Sequence, residues 1–227
     1  MHFIRDGCTT CGKCVQACPS TALRLCGEEK TAKELFTLIE KDTCYYRYSG
    51  GGVTFSGGEC LLQSTVVAQL AKMCKEHGIH TAVETALYVP WENIENVLEH
   101  IDLFYVDLKL PNDKKHRIFT GGEQKPVLEN LQRLSLRKKN IVVRIPVIPG
   151  VNDSVKDIDD FGELLHSFAG KIEQVELLKY NHLAENKYAM AGRQYVKYAD
   201  ACQTNEAMEE LCTTLGEKTG LRCTFYK

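Results

Sequence analysis

The chain has 227 residues, of which 44% are hydrophobic and 26% charged, and its formal net charge is -2. That composition excludes disorder, collagen and coiled coil, and so small a charge gives no global pull toward nucleic acid or an anionic membrane. The apolar runs, such as Leu103-Phe104-Tyr105-Val106, fall far short of the roughly 20 residues that span a bilayer. Met1–Asp6 lacks the order of a secretory signal, so the expectation is a cytoplasmic protein with neither membrane nor nucleic acid as partner.

In chain order, the first feature is Cys8-x2-Cys11-x2-Cys14-x3-Cys18-Pro19, four of the eleven cysteines within eleven positions. A disulfide framework does not suit a chain of this size without a secretory signal. The spacing instead suits a tight loop that wraps thiolates around a [4Fe–4S] cube, with Gly12 free to take positive φ between the second and third ligands. A zinc knuckle is the minor alternative, because zinc sites generally use two separated ligand pairs. In two-cluster ferredoxins the cysteine before proline serves the other cluster, and no second such motif is present. Either Cys26 or Cys44 stands in, or the companion motif lies upstream of Met1, which is the favoured reading. The polar stretch Cys26–Lys33 marks the boundary between a module over 1–30 and a second unit over 31–227.

From about Thr31, strand-like runs alternate with amphipathic stretches, the pattern of βα units around a parallel sheet. The predicted strands are Val53–Ser56, Ile79–Thr85, Leu103–Lys109, Ile141–Val147 and Val175–Lys179, with a short last one at Arg222–Tyr226. Leu62–His77 carries Leu62, Val66, Leu70, Met73 and Cys74 on one helical face and stops at Gly78. Pro90-Trp91 opens the next helix, with Trp91 assigned to the core. Val127, Leu128, Leu131 and Leu134 mark another, and Asp153 or Ser154 caps one containing Ile158, Phe161 and Leu165. Met208, Leu211, Cys212 and Leu215 mark the last. Five βα units are too few for a closed eight-stranded barrel, so the expected fold is α/β, a partial open βα barrel preceded by a small ferredoxin-like iron–sulfur module.

In such folds the loops at the carboxyl ends of the strands build the site. Here those ends carry Ser56-Gly57-Gly58-Glu59, Glu84-Thr85 and Asp107-Leu108-Lys109, and Tyr180-Asn181-His182 follows the fifth strand. Period-2 alternation puts Asp107 and Lys109 on one face, where a salt bridge between them is the plain reading. Arg144 stands alone in an apolar run, so it needs an anion, from a protein or a ligand carboxylate. Together these groups suit a zwitterionic, hydroxyl-bearing ligand. His77, His100, His116 and His166 have no such context and are assigned to solvent or core.

The cysteine motif, Gly51-Gly52-Val53-Thr54-Phe55-Ser56-Gly57-Gly58-Glu59, Asp107-Leu108-Lys109, Arg144-Ile145-Pro146-Val147-Ile148-Pro149-Gly150-Val151-Asn152-Asp153 and Leu177-Leu178-Lys179-Tyr180 together resemble the activating enzymes of glycyl radical enzymes. These are radical S-adenosylmethionine proteins of the pyruvate formate-lyase activating enzyme type. The resemblance implies a [4Fe–4S] cluster and S-adenosylmethionine as cofactors, with Ser56, Gly57, Gly58, Glu59, Glu84, Lys109 and Arg144 at the latter. It implies Cys8, Cys11, Cys14 and Cys18 as iron–sulfur ligands, and Glu84, Thr85 and Asp107 at positions that hold a monovalent cation in that family. The implied reaction is reductive cleavage to a 5′-deoxyadenosyl radical that abstracts hydrogen from a glycine of a partner enzyme. A flavodoxin- or ferredoxin-type reductant would supply the electron.

One family feature is missing. The family's catalytic cluster is held by Cys-x3-Cys-x2-Cys, and no three cysteines here are separated by four and then three positions. The first strand, that motif's loop and half of a two-cluster insert are therefore expected upstream of Met1, and the chain as written is expected to be inactive. Cys60 and the order Tyr180-Asn181-His182 are smaller departures. Two other readings stand beside this one, a non-catalytic iron–sulfur electron-transfer or binding module, and an unstable fragment with an exposed sheet edge.

Overall fold

The computed structural model describes residues 7–168, 170–190 and 193–226. The expectation of no secretory signal rests on Met1–Asp6, and the module reading on 1–30, so both fall partly or wholly outside the described residues. Six strands, β1 (Gly52–Phe55), β2 (His80–Thr85), β3 (Leu103–Asp107), β4 (Asn140–Val147), β5 (Gln174–Lys179) and β6 (Arg222–Phe225), form one sheet in sequence order. Every neighbouring pair is parallel. Parallel neighbours require a crossover, and helices supply each one.

Before the sheet come α1 (Lys13–Gln16), α2 (Ala32–Ile39) and α3 (Thr43–Ser49). The crossovers are α4 (Ser64–Glu76), α5 (Trp91–Val97), α6 (Asp113–Thr120) with α7 (Lys125–Ser135), α8 (Val155–His166), and α9 (Glu185–Met190) with α10 (Asn205–Thr219). Ser154 settles the cap of α8: its side chain accepts from the Asp157 N–H while Asp157 reaches back to the Ser154 N–H, a reciprocal capping box. The strands keep their expected places within a residue or two. The third stops at Asp107 rather than Lys109, although the Leu108 N–H still donates to the Arg144 carbonyl at 2.8 Å. Helix α6 lacks the apolar face that marks the other helices, since Asp113-Lys114-Lys115-His116-Arg117 is polar throughout; only its ends carry a signal, the Asn112 cap and Gly121 at φ 78°.

Strand alternation divides the sheet into two faces. Val83, Phe104, Val106, Ile141, Val143, Ile145, Val175 and Leu177 enter one hydrophobic cluster with Leu70, Ile94, Leu131, Phe161, Met208 and Leu215 from the helices. Trp91 packs at the margin of that cluster, with the guanidinium groups of Arg133 and Arg137 over its ring. Residues of opposite parity, Thr54, Glu84, Tyr105, Asp107, Arg144 and Glu176, share the other face, as the strand register requires. That polar face is what an open barrel encloses.

Two asparagines tie the loops beneath it. Asn152, fully buried, donates to the carbonyls of Lys109 and Pro146 and accepts from the Ile148 N–H, joining the loop after β3 to the loop after β4. Asn130 donates to the carbonyls of Leu87 and Val89, holding Leu87 at a positive φ of 53° after β2. Among the described residues β1 and β6 each have a strand on one side only. An apolar groove lined by Leu35, Ile39, Val53, Phe55, Val66 and Leu70 runs beside β1.

Candidate functional site

Arg144 is the centre of the polar face. Its Nε donates to Glu176 Oε2 at 2.9 Å, its Nη1 donates to Glu84 Oε1 at 2.6 Å, and its guanidinium lies 3.7 Å from the centre of the Tyr105 ring. The sequence required an anion for this arginine, and the structure supplies two protein carboxylates. Glu176 sits opposite Arg144 in the β4–β5 register, its side chain is 3% exposed, and its Oε1 accepts from Gln174 Nε2 at 2.9 Å. Glu84 is the open end of the chain of contacts, accepting from Ser56 Oγ at 2.5 Å from across the sheet. That hydroxyl, followed by Arg144, holds the Glu84 carboxyl below its usual value. Burial pulls the Arg144 guanidinium down, but the hydrogen bonds to Glu176 and Glu84 outweigh it and keep its charge secure.

Sequence reasoning missed Glu176, Tyr105 and Gln174. Glu176 carried the same signal as Arg144, a single charge inside an apolar strand, Val175-Glu176-Leu177-Leu178.

The loop after β1 supplies the next layer. Gly57 has φ 125°, and neither Gly57 nor Gly58 has any atom near where a Cβ would stand, so the backbone of both faces open space. Glu59 is anchored rather than free. Its Oε1 accepts from the Leu61 N–H, and its Oε2 accepts from Thr85 Oγ1 and the Ala86 N–H, both at 3.0 Å. The loops after β1 and β2 are thereby locked together, with lone pairs of Glu59 still available to a cation. Cys60 beneath it directs its thiol to the Phe55 and Glu84 carbonyls, and burial pushes that thiol up to about 11, which leaves it protonated.

Asp107 and Lys109 are not an ion pair; Lys109 is exposed beyond the strand end. Thr85 aligns with Val106, so its side chain and that of Asp107 stand on opposite faces, and the side chains of Glu84, Thr85 and Asp107 do not converge. Asp107 is raised above the ordinary aspartate value, by burial first and against the pull of Lys109 and Arg144. A carboxyl so shifted binds more protons in the folded chain. Stability then falls as pH rises from the unfolded aspartate value, about 3.9, through the higher folded value, and the loss is complete above it. Asp107→Asn is expected to stabilise the chain at pH 7 by about 1 kcal/mol. Denaturation curves at pH 7 and pH 3 check this: the gain should vanish at the lower pH.

After β5, the Tyr180 N–H donates to Gln203 Oε1, the Tyr180 hydroxyl meets that of Tyr195 at 3.3 Å, and the His182 ring stands edge-on to Tyr180 at 5.0 Å. Asn181 accepts from the Leu183 N–H and acts locally. The bland assignments of other histidines hold: His116 is buried against the Gly122 carbonyl, and His77 rests on Phe36.

At the other end of the chain, no residue from 7 to 35 is buried, and Phe36 is the first buried one among the described residues. Gly12 takes φ 74° as the entry to α1, and Cys8, Cys11 and Cys14 are exposed, with Cys18 half-exposed. Backbone and side-chain hydrogen bonds lower two of these thiols, Cys11 chiefly through the Lys13 N–H and Cys18 chiefly through Ser20. A coreless loop whose thiols already accept N–H and O–H donors fits thiolate ligation to a cluster, since bound metal supplies the ordering that apolar burial does not. Among the described residues no three cysteine, histidine or acidic side chains are drawn together as a metal centre, these four included. The polar sheet face fits a zwitterionic ligand on similar grounds, with open glycine backbone, an anchored carboxylate at Glu59 and a fixed guanidinium at Arg144.

Comparison with known proteins agrees with this geometry. The Radical SAM superfamily model matches residues 13–162, and a 4Fe-4S binding domain model matches residues 1–24. The (2S)-3-sulfopropanediol dehydratase activating enzyme of Klebsiella oxytoca is 43% identical over 192 residues, which cover 84% of this chain and 61% of that protein. The benzylsuccinate synthase activating enzyme of Thauera aromatica is 37% identical, covering 85% of this chain and 69% of that protein. A crystal structure of a domain of pyruvate-formate lyase-activating enzyme from Bacteroides vulgatus superposes with a TM-score of 0.64 at 30% identity, covering 78% of this chain and 99% of that one. The chain thus spans about three fifths of the length of the first of these relatives.

Proposed function

The chain belongs to the radical S-adenosylmethionine superfamily and, within it, to the activating enzymes of glycyl radical enzymes. From that membership we propose that it is the S-adenosylmethionine-binding and auxiliary-cluster portion of such an activase, whose partner is a glycyl radical enzyme and whose electron comes from a flavodoxin- or ferredoxin-type reductant. The observation that carries the reading is the polar sheet face, where Ser56, Glu84, Arg144 and Glu176 are joined across β1, β2, β4 and β5 next to the open Gly57-Gly58 backbone.

Each residue has a task there. Glu59, held from below by Thr85, receives the ligand's ammonium group together with the carbonyls of the glycine turn. Arg144 and Lys109 line the ligand pocket and present positive charge to it, and Glu84 and Glu176 keep the arginine in place. Cys8, Cys11 and Cys14 hold a [4Fe–4S] cluster in the first 30 residues, and Cys18 is the iron–sulfur ligand directed to a companion cluster. When bound, cluster and S-adenosylmethionine supply the one-electron and radical chemistry; the protein contributes binding, orientation and exclusion of water. The same cation-binding assignment for Glu84 and Asp107 would need backbone carbonyls as further ligands, because the Thr85 hydroxyl is committed to Glu59.

The test is iron and sulfide content with Mössbauer spectra on the anaerobically reconstituted chain, before and after S-adenosylmethionine. The expected result is one cubane, abolished in a Cys8→Ser/Cys11→Ser/Cys14→Ser variant and unchanged in spectrum by the cofactor. Zinc in place of iron, or iron retained in that variant, would overturn the assignment of the four cysteines. One iron site shifting on addition would overturn their auxiliary role.

A further inference from the structure

Outside the polar face, two of the remaining thiols share one location. Cys212 lies on the buried stripe of α10 with Met208 and Leu215, and is 9% exposed. Cys223 lies on β6 directly opposite Val175, a fully buried residue of β5, so its side chain points toward the helix layer. The two elements are packed together, and the chain turns between them through Gly220, at φ 71°. Gly216, one helical turn beyond Cys212 on the same face, lies against Cys223, whose Cβ is 3.9 Å from where a Gly216 Cβ would stand. Cys212, one turn back along that face of α10, borders the same gap that Cys223 enters from β6. Neither residue takes part in the ligand face or in the N-terminal cysteine cluster.

We propose that Cys212 and Cys223 form a dithiol that a small oxidant of the diazene or disulfide class converts to an intramolecular disulfide, fastening α10 to the edge strand β6. With a diazene the step balances as follows. One thiolate adds to the N=N bond to form a sulfur–nitrogen bond, and the second thiolate attacks that sulfur. The sulfur–nitrogen bond breaks as the disulfide forms, both thiol protons pass to nitrogen, and the diazene leaves reduced as a hydrazine. Half-buried Cys223 gives the oxidant access, and enclosed Cys212 is the partner already in reach. The structural consequence falls on the end of the sheet, because β6 is paired only through β5 among the described residues. A cross-link to α10 suppresses fraying of that edge.

The test uses the cluster-free full chain carrying Cys202→Ser, an exposed position. In that variant the tryptic peptides 198–218 and 223–227 each keep one thiol, Cys212 and Cys223. After brief treatment with diamide and blocking of free thiols, mass spectrometry is expected to find these two peptides joined and lighter by two hydrogens. Amide exchange across 222–225 should slow at the same time, and dithiothreitol should reverse both. The same treatment in strong denaturant should scatter the links among all the cysteines. The proposal is overturned if the two peptides appear singly blocked, or joined to peptides from 8–18. Equal yield of the joined pair in native and denatured chains would also overturn it, since closeness in sequence would then account for it.

Discussion

Arg144→Ala is expected to destabilise the chain by about 3–5 kcal/mol, the usual penalty for removing one partner of a buried ion pair. The reason is Glu176. With its side chain 3% exposed and the arginine gone, its carboxylate keeps only the Gln174 amide and cannot reach water without opening the β4–β5 register. Glu84 adds little to the loss, because at 37% exposure it can rehydrate where it stands. A double change, Arg144→Met with Glu176→Leu, should recover most of the stability, since it removes the stranded charge along with its partner. Glu84→Gln alone should stay within about 1 kcal/mol of the parent. Urea denaturation followed by circular dichroism ranks the four proteins. An Arg144→Ala protein as stable as the parent would mean that Glu176 is not held by the arginine in solution.

The second large effect concerns the reaction. Reconstituted with iron and sulfide and reduced anaerobically, the 227-residue chain is expected to release no 5′-deoxyadenosine from S-adenosylmethionine above a protein-free control. Its eleven cysteines include no triplet with the spacing that leaves one iron open to a ligand, and Cys11, Cys14 and Cys18 run in the reverse order. Fusing a segment with Cys-x3-Cys-x2-Cys ahead of the chain should raise release by several orders of magnitude, the difference between lacking and having a catalytic metal centre. Liquid chromatography of the quenched reaction gives the answer. Sustained turnover by the unfused chain would show that the cysteines present build an open-site cluster themselves.

The strands, the glycine turn and the 4Fe-4S domain near the N-terminus were all legible in the sequence, and for one reason: each is a local signal. Short apolar runs mark β2 to β5, Gly78 stops α4, Ser154 caps α8, and Cys-x2-Cys-x2-Cys-x3-Cys-Pro is a motif read without reference to anything distant. The strand reading also placed Glu84 and Asp107 near strand ends and Arg144 inside an apolar strand. It could say that Arg144 needs an anion, but not which one, because that depends on how β4 registers against β5 and on how far the guanidinium reaches diagonally to β2. The same holds for Thr85, next to Glu84 in sequence yet turned to the helix side, where it anchors Glu59 instead of joining Asp107. Register, and with it the pairing of Glu176 with Arg144 and of Cys212 with Cys223, is set by contacts between residues far apart or in different elements. Only the folded sheet and its helices bring those together.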